Sequence, residues 1–149
     1  MFGTVTAKTG PKAQVIVFMD AQCPCIFSHR ETMSEIIDKY GTQRTIKAIF
    51  ISQKDNKIDA EYTLSALGWN IPYIIDTARN YVKLYKPKIL TECMLISPSG
   101  KILYHGAIDD SPQNMGQVKH RYLQNAIEEY LNHSPIPVKF AQGVGCLII

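Results

Sequence analysis

Residues 15–29 read VIVFMDAQCPCIFSH. The first five are apolar and mostly β-branched or aromatic, the pattern of a strand buried on both faces. The strand reading extends back over AQVIVFM, residues 13–19. Four residues later the chain places Cys23, then Pro24, then Cys25. Proline suits a first helical turn, where its missing N–H has no partner to lose. Ile26, Met33, Ile36, Ile37 and Tyr40 then follow at helical spacing, and Gly41 ends the run. The stretch therefore predicts strand, short loop, Cys-Pro and a helix over 24–40.

Further along, IKAIFIS (46–52) and ECMLIS (92–97) read as buried strands, and KILYHG (101–106) as another. SPSGK (97–101) joins the last two through a type I turn, with Pro98 at its second position and Gly100 at its fourth. IPYII (71–75) is a short extended piece. Helical patterns occupy 58–67, 76–85 with Asp76 as cap, and 117–132. The order β-α-β-α-(β)-α-β-β-α predicts an α/β sandwich, a mixed central sheet flanked by helices. The chain of 149 residues reads as one domain, with 133–149 as a tail packed on it.

Composition narrows the function. The chain is 46% hydrophobic and 19% charged, which marks a globular protein. A net charge of +3, without basic runs, gives no reason to expect nucleic acid. No apolar stretch is long enough for a membrane span. The start, MFGTVTAKTG, lacks the apolar segment of a signal peptide, which leaves the compartment open.

The chemistry is expected at the cysteines. Cys23 stands at a helix start, where unpaired N–H groups favour a thiolate and a lowered pKa is expected. Cys25 lies two positions on, about 200° around a regular α-helix, so its sulfur would point away from that of Cys23. It is read as a resolving thiol, a metal ligand or a residue at the helix base. His29 follows Cys25 by four residues and would share its helix face. The set Cys23, Cys25 and His29 is thus the alternative copper or zinc site, while the first reading takes no cofactor. Cys93, inside a strand, reads as a small core residue. Cys146, in a glycine-rich tail that can span about 40 Å from residue 133, could return to Cys23.

Three segments carry a resemblance: VIVFMDAQCPCIFSHRETMSEIIDKYG, LGWNIPYIIDTARNYVKLYKPKILTECMLISPSGKILYHGAIDD and the terminal GVGCLII. Together they resemble the thioredoxin-like redoxins of the alkyl hydroperoxide reductase/thiol-specific antioxidant group, nearest to a bacterial branch ending in a Gly-Cys tail. The resemblance implies a thioredoxin-like three-layer sandwich with Cys23 in the reactive position. It aligns Thr91 with the cis-proline of that fold, opposite the first helix start, where it would shape the substrate face. It also implies a protein disulfide, small thiol or peroxide as substrate, a reducing partner protein, and a setting in bacterial export or the periplasm.

Two departures stand out. Cys-Pro-Cys replaces C-x-x-C, and Asp20 occupies the place where a peroxiredoxin has Thr or Ser. The expected activity is therefore thiol–disulfide exchange by Cys23, resolved first by Cys25 and second by Cys146. A peroxiredoxin-like peroxidase, a metallochaperone-like module and a redox-silent interaction domain are the alternatives. The terminal Cys146-Leu147-Ile148-Ile149 also fits a prenylation box in form, but lacks a polybasic neighbour.

Overall fold

The computed structural model describes residues 12–41, 45–52, 54–111 and 118–148. Strand β1 (Gln14–Met19) is buried from its second residue onward. It is followed by a 3-10 helix (Pro24–His29) and helix α1 (Arg30–Tyr40). Then come β2 (Thr45–Phe50), α2 (Lys57–Leu67), β3 (Tyr73–Ile75) and α3 (Asn80–Tyr85). The chain closes with β4 (Cys93–Ile96), β5 (Ile102–Gly106), α4 (Tyr122–Leu131) and β6 (Phe140–Ala141). Among the described residues no helix is long and apolar enough to cross a membrane.

The six strands form one sheet in the order β3-β2-β1-β4-β5-β6. β1 runs parallel to β2 with Met19 opposite Phe50, and antiparallel to β4 with Val17 opposite Cys93. Because strand side chains alternate between faces, β1 feeds two cores. Val15, Val17 and Met19 join Met33 and Ile36 of α1, Leu64 of α2 and Leu123 of α4. Ile16 and Phe18 join Ile49 and Met94, with Tyr81, Val82 and Tyr85 of α3 packed against them. The result is helix, sheet, helix: the three-layer α/β sandwich with a mixed sheet that the sequence predicted. Burying a side chain such as Phe18 completely contributes about 1.5–3 kcal/mol.

The differences have physical causes. The predicted helix over 24–40 is two helices, because the segment carrying the cysteines winds as 3-10 before α1 begins at Arg30. Six residues is long for that tighter form. Helix α3 starts later than predicted, yet Asp76 still caps it. Arg79 takes a left-handed conformation, φ 59°, and the Asp76 carboxylate accepts from Tyr81 N and Val82 N, both at 3.1 Å. Helix α4 is shorter than its pattern; residues 112–117 lie outside the described residues. The Ser97–Gly100 turn closes as predicted, with Gly100 N donating to Ser97 O at 2.9 Å.

The tail is held along its length. β6 adds to β5 in parallel, with Gly106 opposite Ala141. Gly106 has φ 125°, and a Cβ there would sit 2.1 Å from Ala141 O, so only glycine admits the tail at this point. Farther on, Leu147 forms an antiparallel bridge with Ile89.

Candidate thiol site

Cys23 occupies the cap position of the 3-10 helix in extended conformation. The loop before it is clasped by carboxylates. Ala21 N and Ser52 N donate to the two oxygens of Asp55, both at 3.0 Å, which ties the end of β1 to the end of β2. Gln22 N donates to Asp20 Oδ1 at 2.8 Å, and Cys23 N to Asp20 O at 3.0 Å. Asp20 thus braces the loop. Asp55 leaves no signal in the sequence, because a carboxylate acting 34 residues away makes no local pattern.

Three cysteines gather here, and all four in the chain are free thiols. Cys23 Sγ lies 3.6 Å from Cys146 Sγ. Cys25 sits beside both: its thiol acts on Cys23 and Cys146 alike, and a Cβ on Gly145 would lie 4.0 Å from its sulfur. A disulfide needs a sulfur separation of about 2.05 Å, so Cys23 and Cys146 need approach by roughly 1.5 Å only. Cys146 is exposed, and its carbonyl accepts from Leu90 N, which keeps the residue next to Cys23.

The expected depression of the Cys23 pKa does not occur. Burial pushes its thiol above the ordinary value, and the Cys25 thiol adds to this; the Cys25 N–H and the Cys146 thiol offset it in part. Burial is the larger effect, and the helix start does little to offset it. That start supplies the single Cys25 N–H, and the α-helix proper starts at Arg30, too far for its N-terminal partial charge to add to it. The Cys146 thiol is also raised, chiefly by its contact with Cys23 and next by the Cys23 charge. That contact lowers Cys23 and raises Cys146, so within the pair the negative charge favours Cys23.

His29 does not share a face with Cys25. At three residues per turn, four positions rotate the side chain by about 120° instead of bringing it back. His29 is buried, and its Nδ1–H donates to Asp109 Oδ1 at 2.6 Å. Burial alone would push the Asp109 carboxyl up; the hydrogen bonds it accepts, that of His29 first, outweigh this and hold it below its ordinary value. The pair pins the back of the cysteine-bearing turn to the loop after β5. Among the described residues no group of three or more His, Cys, Asp and Glu side chains is arranged to hold a metal ion.

Thr91 lies between Leu90 and β4 with φ 77°, an uncommon conformation for a β-branched residue. Its N–H donates to Phe18 O at 2.8 Å, which anchors it next to the end of β1. The turn leaves Leu90 N facing outward, where it donates to Cys146 O at 2.8 Å. Cys93 is fully buried, donates to Gly106 O at 3.4 Å, and is pushed well up by burial. It is a core residue.

A mixed sheet with helices on both faces, with a cysteine at the helix start after its first strand, is the thioredoxin-like fold. Solved structures agree. An uncharacterized conserved protein from Geobacillus kaustophilus superposes with a TM-score of 0.82 at 23% identity, covering 93% of this chain and 77% of that one. A hypothetical protein from Sinorhizobium meliloti 1021 gives 0.81 at 22%, covering 93% and 80%. A putative thiol:disulfide interchange protein DsbE from Chlorobium tepidum gives 0.64 at 18%, covering 82% of each chain. At these identities the likeness establishes the fold. No family model matches the chain, and no curated protein matches it.

Proposed function

We propose that this protein is a thiol–disulfide oxidoreductase in which Cys23 is the nucleophile and Cys146 the resolving thiol. The observation that carries the reading is the 3.6 Å approach of the two sulfurs. The Cys23 thiolate attacks one sulfur of a substrate disulfide, and the other substrate sulfur leaves as a thiolate. Cys146, deprotonated, then attacks Cys23 Sγ, forms the Cys23–Cys146 disulfide and expels the second substrate thiolate. The substrate gains two electrons and the protein loses two. A partner dithiol returns the protein to the reduced state by the same exchange in reverse.

This reading puts Cys146 before Cys25 as the resolving thiol, the reverse of the order expected from the sequence. The returning Gly-Cys tail also supports a place near the tail-bearing branch of the alkyl hydroperoxide reductase/thiol-specific antioxidant group. The Chlorobium neighbour, described as a putative thiol:disulfide interchange protein, supports exchange with protein substrates. Such a couple suits an exported bacterial protein, because oxidised substrates persist in oxidising compartments. Non-reducing peptide mapping after mild oxidation tests the reading: a Cys23–Cys146 cross-link is expected, and Cys23→Ser abolishes reduction of a model disulfide. A Cys23→Ser protein with undiminished activity overturns it.

A further inference from the structure

The tail reaches Cys23 by a specific route. Leu90 N donates to Cys146 O, and Ile148 N donates to Lys88 O, both at 2.8 Å, on either side of the antiparallel Ile89–Leu147 bridge. Lys88–Leu90 belongs to none of the six sheet strands; among the described residues Leu90 N and Lys88 O pair with the tail, while Lys88 N and Ile89 O pair with Glu92. The tail is therefore an added strand on a short free edge. Its side chains alternate as a strand requires. Cys146 faces Cys23; Leu147 is 73% exposed; Ile148 packs against the core that holds Ile74, Tyr81 and Val82. Next to it opens a cavity of about 590 Å³, lined by Leu90, Leu147 and Ile148 and by the polar side chains of Asp20, Lys54 and Arg79.

One position is sterically selective. A Cβ on Gly145 would sit 3.0 Å from Leu90 O and 3.3 Å from the Ile89 side chain. The first neighbour is backbone, next to the Thr91 turn, and would have to give by a few tenths of an ångström to admit a Cβ. The edge thus favours a residue without a Cβ directly before the cysteine.

We propose that the Lys88–Leu90 edge is the recognition site for a substrate polypeptide, taken as an extended Gly-Cys-x-apolar segment, and that the tail fills this site in the resting protein. The inference rests on the thiol–disulfide reading of Cys23. A substrate strand displaces the tail and sets its cysteine in the place of Cys146. Once the Cys23–substrate disulfide forms, the returning tail competes for the same backbone groups. Resolution by Cys146 and release of the substrate strand are then one exchange.

The test uses the full chain carrying Cys25→Ser and Cys146→Ser, which leaves Cys23 alone at the site and the tail backbone intact. The probes are peptides activated as 2-pyridyl disulfides, so attack by Cys23 joins the peptide cysteine to Cys23 and releases pyridine-2-thione, read by absorbance. Val-Gly-Cys-Leu-Ile is expected to react about tenfold faster than Val-Val-Cys-Leu-Ile, and faster than Val-Gly-Cys-Leu-Lys. Adding Gly145→Val to the protein, which unseats the tail, is expected to speed the first peptide further. Equal rates for the three peptides overturn the recognition site while leaving the redox reading intact. A Cys23 inert even to a small pyridyl disulfide overturns the redox reading itself.

Discussion

Cys23 and Cys146 are 123 residues apart in the chain, yet their sulfurs face each other at 3.6 Å. Cys25, two residues from Cys23, stands beside the pair. Proximity in sequence and approach in space are separate properties here, because the tail strand carries Cys146 back onto Cys23. Cys25 is fixed in the turn by its carbonyl, which accepts from Ser28 Oγ at 2.8 Å. Cys146 rides on a strand held by two hydrogen bonds and a bridge.

Replacing Cys146 by Ser therefore traps the Cys23 mixed disulfide, whereas Cys25→Ser leaves its resolution nearly at the wild-type rate. A slowing of about 100-fold or more is expected for Cys146→Ser, since resolution passes to external thiols. Acid quenching and intact-mass measurement over time check this. Accumulation in Cys25→Ser instead would reverse the roles of the two thiols.

The raised Cys23 thiol has a pH signature. Its thiolate fraction keeps growing through and above the ordinary cysteine range, near 8.5. The rate of Cys23 alkylation by iodoacetamide, measured with Cys25 and Cys146 replaced by Ser, is expected to climb steadily from pH 7 to pH 9. A plateau already reached at pH 7 would show a depressed pKa.

The buried His29–Asp109 contact predicts acid sensitivity. The Asp109 carboxyl is held below its unfolded value, so its contribution is complete above that unfolded pKa and fades as pH falls through the folded one. Asp109→Asn is expected to cost about 2–4 kcal/mol at pH 7, and much less well below pH 3. Urea unfolding at both pH values measures the difference. An equal cost at the two would remove the charge from the account.

The copper or zinc alternative makes its own prediction. Three soft thiols meet at the site, but the His29 Nδ1 is taken by Asp109. Anaerobic loading of the reduced protein with Cu(I) is expected to leave less than one equivalent after gel filtration. Stoichiometric retention that is lost in Cys25→Ser would establish the metal site.

Much of the fold was legible because its signals are local. Five consecutive apolar residues at Val15–Met19 can only sit between two covered faces. The Ser97–Gly100 turn was readable for the same reason, as Pro98 and Gly100 impose their own backbone angles. The helix start was less legible. Pro24 marks where winding begins, but nothing in PCIFSH distinguishes a 3-10 from an α-helix. That difference turned His29 away from the face of Cys25, while burial, which a local pattern does not show, raised the Cys23 thiol.

The sequence by itself determined the alternation of strands and helices, the place of Cys23 at the end of β1, and a tail long enough to return there. These depend on periodicity, chain length and the fixed geometry of proline. Only the tertiary structure decided which thiol meets Cys23, that Asp109 takes His29, and that Lys88–Leu90 seats the tail. Such pairings join residues dozens of positions apart, and they are set by how the layers pack once the sheet has formed.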